Sequence, residues 1–168
     1  MAKIALVSCV SSKLAHSAPA KDLYTSPLFV KSRRYAQENA ERWYILSAEH
    51  YLLKPETIVE PYEKTLNKMP KAERAQWAEV VFHQLECLTA PSDEIIFLAG
   101  ERYREDLEGL LSKRGNLIVV PMRGLPIGKQ LQWLTRHTDE QSLSILDEFY
   151  RLVAKLEEVL TGGRILSD

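Results

Sequence analysis

The 168 residues carry 22 Lys and Arg against 23 Asp and Glu, a net charge of -1, and 45% of them are hydrophobic. That balance excludes a protein that coats nucleic acid through bulk positive charge. A chain of this size buries roughly two-thirds of its unfolded surface, enough for one domain over residues 1–168 without metal or disulfide staples.

The two cysteines, Cys9 and Cys87, make no disulfide framework, which fits a reducing cytoplasm. Leu6-Val7-Ser8-Cys9 looks like a lipoprotein cleavage box. The apolar stretch before it is shorter than the roughly 7 to 15 residues of an export signal, and no run reaches the roughly 20 that span a bilayer. No membrane partner is expected.

In chain order, Lys3 to Val10 is a nearly continuous apolar run and predicts a strand buried on both faces. Ser11 to Lys21 predicts a loop. Ser26-Pro27 then places a capping hydroxyl before the residue best tolerated at the first helical position, for a helix from about Pro27 to Ala40. Trp43 to Ser47 suits a second strand. Tyr51 to Met69, broken by Pro55 and Pro61, has no strong period and is expected as a long excursion. Pro70 opens a helix to about Cys87, Glu94 to Ala99 is a third strand, and Glu101 to Arg114 a helix stopped by Gly115. Asn116 to Val120 gives a fourth strand, and a helix starts near Pro126. Thr138 with Gln141 reads as a capping box for a last helix from about Asp139 to Leu160, whose long apolar stripe offers a surface for a homodimer.

Alternating strands and helices point to a mostly parallel four-stranded α/β sheet with helices on both faces, a Rossmann-like three-layer arrangement. Ligands in such sheets lie outside the carboxyl ends of the strands, so the segments after each strand are the candidate site. These are Ser8 to Lys13, Ser47 to His50, Gly100 to Tyr103, and Arg123 to Lys129. Ser8, Ser11 and Lys13 can line an anion-binding turn, although the Gly pattern of a phosphate loop is missing and a plain surface loop explains them equally well. Cys9, in an apolar strand, reads more readily as a small core residue than as a nucleophile. Ser47, Glu49 and His50 put a hydroxyl, a carboxylate and an imidazole within four positions, which suits Glu49 and His50 to proton transfer and Ser47 to anchoring a ligand. Tyr24 and Tyr62 can stack on a ring, or pack loops against the core, the commoner use of such aromatics. Arg123, Gly128 and Lys129 can bring backbone and cations to a ligand at a helix amino terminus; the structural alternative is a tight turn that needs Gly. Gly100 and Tyr103 complete the set. His16, His50, His83 and His137 lack metal-ligand spacing, so neither a metal nor a cofactor is implied.

Several strings resemble a family of short bacterial and phage proteins known as a domain of unknown function. They are Cys9 with Lys13, Asp22 to Phe29, Tyr44 to Leu53, Pro61 to Leu66, Leu98-Ala99-Gly100 with Tyr103, and Gly128 to Leu131 with Trp133-Leu134. A Lys-Gly or His-Gly pair after Ser-Ala in that pattern is Glu49-His50-Tyr51 here. More remotely the pattern is similar to the YaaA-like peroxide-stress proteins and the catalytic part of archaeosine synthase. That resemblance implies a nucleotide, nucleobase or nucleic-acid base as ligand.

The expectation is therefore a small α/β protein that binds such a ligand at the carboxyl ends of its strands, as an enzyme of base or nucleotide modification or hydrolysis. The alternative is a non-catalytic, stress-related DNA-binding protein using cations around Lys31, Arg33, Arg34 and Arg123.

Overall fold

The computed structural model describes residues 1–138 and 152–153. Strand β1 (Lys3–Ser8) is central, and its residues Ile4 to Val7 are almost fully buried, as a continuous apolar run requires. It pairs in parallel with β3 (Arg42–Ser47) on one side and β6 (Glu94–Leu98) on the other. Strand β7 (Leu117–Val119) extends the parallel part beyond β6. The sheet has five strands rather than four, because β4 (Tyr51–Leu53) folds back antiparallel onto β3, giving the order β4-β3-β1-β6-β7. Three residues are too few to show a period, so the sequence hides this strand inside the expected excursion.

The two irregular stretches contain further short elements. Ala18–Pro19 (β2) pairs antiparallel with Ile58–Val59 (β5), tying the loop after β1 to the loop after β4. A single helical turn, α1 (Ala20–Leu23), follows β2, and a 3-10 turn covers Leu66–Lys68. The expected loop Ser11–Lys21 is thus corrected to a braced segment.

Helix α2 (Pro27–Asn39) begins as its sequence demands, with Ser26 Oγ accepting from Phe29 N at 3.2 Å and Pro27 first in the helix. Helix α3 (Lys71–Leu88) and helix α4 (Glu101–Arg114) follow β4–β5 and β6, and Gly115 ends α4 in the left-handed region at φ 110°. Helix α5 spans 127–138. The rings of Tyr35 on α2 and Trp133 on α5 meet at 5.1 Å, while α3 packs on α4 through the Arg74–Glu105 ion pair at 2.8 Å. Thr138, expected to cap the next helix, is itself helical, its Oγ1 donating to Leu134 O at 2.8 Å. The expected last helix and its dimer surface lie, apart from the helical Leu152 and Val153, outside the described residues. Among the described residues no helix is long and apolar enough to cross a membrane.

The amino ends of the strands are closed by fixed polar ties. Asp93 accepts from Ala2 N and Ala90 N, both at 2.8 Å, and these amides, with Arg42 beside it, hold its carboxyl below the usual carboxylate range. Asn116 Nδ2 donates to the carbonyls of Ala90 and Asp93.

Candidate functional site

The parallel strands run in the order β3-β1-β6-β7, so the chain leaves β1 toward one edge and later returns to the other. Such a reversal opens a crevice between the carboxyl ends of the two strands flanking it, here β1 and β6. Successive strand residues face opposite ways, and at the end of β1 this splits the site in two. Ser8 turns toward α2, where it shares a cleft with Phe29 and Ser32. Cys9, 6% exposed, turns toward α4, its Sγ 3.2 Å from Tyr103 Oη.

The Cys9 side is a packed hub of hydroxyl groups. Ser47 ends β3 fully buried, and its carbonyl accepts from Trp77 Nε1 of α3 at 2.9 Å. Its Oγ accepts from Glu49 N at 3.3 Å and His50 N at 3.0 Å, which uses both lone pairs, so its proton is donated to Tyr62 Oη at 2.7 Å. Tyr62 Oη lies 2.6 Å from Tyr24 Oη. Two phenolic protons share that one contact, so one of them is left to a neighbour outside the trio. Burial, with the Cys9 thiol nearby, pushes Tyr24 up to about 12 and drives Tyr62 and Tyr103 well above an ordinary phenol. All three hold their protons at neutral pH and act there as donors, not bases.

Lys13 closes the hub from above. Its Nζ donates to Val10 O at 3.0 Å and sits 4.6 Å from the Tyr62 ring centre, a cation over an aromatic face. Lys13 has no carboxylate within ion-pair distance among the described residues. Beside it the β3–β4 turn presents Glu49 and His50, both exposed; the His50 ring stands edge-on to Tyr62 at 5.3 Å, and Glu49 reaches Lys64 at 3.8 Å. The turn forces Tyr51 to φ 59°, the left-handed region that favours glycine.

The cleft on the other side has two chambers. The larger, of about 330 Å³, lies between the ends of β6 and β7, with Phe97, Val120 and Met122 as apolar walls and Gly100, Arg104 and Gln130 as polar ones. The smaller, of about 20 Å³, continues it toward β1 and is lined by Ser8, Ser32 and Gln130 among Leu28, Phe29 and Leu98.

Of the residues singled out in the sequence, the structure gathers Lys13, Tyr24, Ser47, Glu49, His50, Tyr62 and Tyr103 around the hub, and Ser8 and Gly100 in the cleft. Ser11 is exposed, its carbonyl 3.4 Å from Lys13 Nζ. Arg123 is committed to Glu108 of α4, which also takes Arg104, and neither Gly128 nor Lys129 lines the cleft. Both are exposed in the first turn of α5, where Lys129 Nζ donates to Gln132 Oε1. The turn that does need glycine is at Gly124, with φ 74°. Sequence reasoning missed Cys9 as the hub's centre, and Ser32, Met122 and Gln130 in the cleft. Ser32 had a signal: it lies on the buried stripe of α2, three residues after Phe29 and four before Ala36, where an apolar side chain is the rule. Among the described residues no group of three His, Cys, Asp or Glu side chains could hold a metal ion.

Residues 4–136 match a family of unknown function, DUF6884. The chain is also 27% identical over 149 residues to the uncharacterized protein YfjM of Bacillus subtilis (strain 168), an alignment covering 84% of this chain and 98% of that protein. No solved structure matches it.

Proposed function

For this chain, which belongs to DUF6884, a family of unknown function, we propose a small enzyme that binds a nucleobase, nucleoside or nucleotide in the two-chambered cleft and modifies or hydrolyses it. One observation carries the reading: a hollow of about 330 Å³ at the carboxyl ends of β6 and β7, beside the reversal point of the sheet. Ligand sites fall at such points and start near 300 Å³. Its walls suit a flat heteroaromatic ring. Phe97, Val120 and Met122 cover the faces, while Gln130 and the backbone at Gly100 offer hydrogen bonds to an edge. The resemblance to YaaA-like proteins and archaeosine synthase supports the same ligand class.

Glu49, His50, Lys13 and the hub phenols line neither chamber. In this reading a ligand seated in the cleft therefore extends past the end of β1 to the hub, where Glu49 and His50 move a proton and Lys13 and the phenols supply positive potential and hydrogen-bond donors. Ser47 is a positioning residue, since its hydroxyl fixes the amides of Glu49 and His50. The test is a panel of bases, nucleosides and nucleotides followed by thermal shift and by chromatographic turnover. A ligand present at 100 times its Kd adds about 2.7 kcal/mol, so its melting temperature rises by several degrees. Ala99→Leu, which fills the cleft, removes the shift, and His50→Ala lowers turnover at least ~100-fold with the fold intact. A panel without a single shift, or shifts that survive Ala99→Leu, would rule the reading out.

The DNA-binding alternative finds less support. Of the cations it would use, Arg33 is paired with Asp22 at 2.7 Å, Arg34 with Glu38 at 3.0 Å and Arg123 with Glu108, which leaves Lys31 as the one without a carboxylate at ion-pair distance among the described residues.

A further inference from the structure

The smaller chamber carries an inference that rests on the proposed function and deepens it. Ser32 is 2% exposed, yet its hydroxyl makes no hydrogen bond among the described residues and lines the chamber. Helical serines and threonines commonly return their proton to the carbonyl four residues back, as Thr135 does to Leu131. Ser32 has no such bond to Leu28, and Ser8 across the chamber, half-buried, makes no hydroxyl hydrogen bond among the described residues. Among the described residues Asn116 Oδ1 is the one fully enclosed side-chain polar atom without a partner; Ser8 and Ser32 instead line the chamber, where water or a ligand can satisfy their hydroxyls. The chamber's 20 Å³ holds one group the size of a water molecule.

Gln130 decides which group. Its Nε2 donates to Leu125 O at 2.7 Å. A carbonyl accepts only, so the amide is fixed in this sense and Oε1 is turned away from Leu125 as an acceptor. Gln130 lines both chambers. One acceptor amide and two hydroxyls that both donate and accept fit a group with two protons to give and a lone pair or ring nitrogen beside it. An oxo group in the same place would face Oε1, oxygen against oxygen.

We propose that the small chamber is a specificity pocket for an exocyclic amino group, so that the protein selects amino-bearing bases over their oxo counterparts through Ser8, Ser32 and Gln130. The experiment is calorimetric titration with adenosine against inosine and cytidine against uridine, on the wild type, Ser32→Ala and Ser8→Ala. Alanine is the better helix former, so Ser32→Ala folds. The expected result is that the amino member of the pair the cleft accepts binds at least ~10-fold more tightly, and that each variant narrows this ratio several-fold. Equal binding of the two members, preference for the oxo member, or a ratio that survives both variants overturns the amino pocket while leaving the cleft as a base site. Binding of none of the four, together with no shift across the wider panel, overturns both.

Discussion

Tyr24 keeps its phenol in a place where ionisation is expensive: the residue is 2% exposed, beside the Cys9 thiol and hydrogen-bonded to Tyr62. Its folded value is raised to about 12 from the 10 of a free phenol, so the folded chain holds a proton that the unfolded chain releases. The stability this contributes is complete below pH 10 and is lost as the pH rises from 10 to 12, roughly 2–3 kcal/mol for this one group. Tyr62 and Tyr103 act in the same direction. Denaturant unfolding from pH 8 to 12 should show a flat region and then a steep fall, with the 295 nm phenolate signal of these tyrosines appearing only as the chain unfolds. Tyr24→Phe should make the fall shallower by close to one proton while costing about 1 kcal/mol at pH 8 through the lost hydrogen bond. An unchanged alkaline slope in that variant would mean that Tyr24 ionises freely and that the hub is looser than its distances imply.

At the scale of elements, the β3–β4 hairpin shows how far the sequence could be read. Its first strand is legible because Tyr44 to Ser47 must be buried in a parallel sheet, and its turn because Ser47, Glu49 and His50 cluster at a strand end. Its second strand is not, since three residues cannot display alternation and the pairing that stabilises them comes from β3. The same holds for β2 and β5, two residues each, whose only reason to be extended is each other. The long helices α2, α3 and α4 announce themselves through caps and apolar stripes, because those signals are local. Much of the candidate site was legible for the same reason: Ser8, Lys13, Ser47 and Tyr103 stand beside strand ends, whereas Ser32 enters the cleft from the interior of α2 and Gln130 from the first turn of α5, and both depend on how those helices pack. The hairpin also carries a cost. A non-glycine residue in the left-handed region gives up about 1–2 kcal/mol, and Tyr51, 36% exposed, stands there. Tyr51→Gly should therefore raise stability by about 0.5–1 kcal/mol after the entropy of glycine is counted, seen as a rise of a few degrees in melting temperature. Tyr51→Val, branched at Cβ, should lower it by more than that. A glycine variant that melts lower than the wild type would show that the tyrosine ring, not its backbone, holds the turn.

Across the whole molecule, the two ends of the sheet are built differently. At the amino ends, Asp93, the Asn116 amide nitrogen and Arg114 are tied to neighbouring loops, and Asn116 Oδ1 is enclosed without a partner, out of a ligand's reach. At the carboxyl ends lie the cleft, the buried hydroxyls and Lys13, which has no carboxylate partner among the described residues, so the proposed recognition falls on one rim. Charge follows a matching division: the exposed arginines of α2 and of the β7–α5 turn are held by carboxylates on their own or adjacent helices. Arginines so held have fewer contacts to exchange with a phosphate backbone, and the net charge of -1 supplies no bulk attraction to it. Titration of a 16-base-pair duplex should accordingly show no micromolar binding at 150 mM salt, and any residual association at lower salt should change little with log[salt]. A duplex-binding protein that neutralises several phosphates instead shows a slope of about -0.9 for each. Should the slope reach -4 or steeper with micromolar affinity, the cations must be leaving their carboxylates for phosphates, and the chain would act on nucleic acid as a surface rather than on a base within its rim.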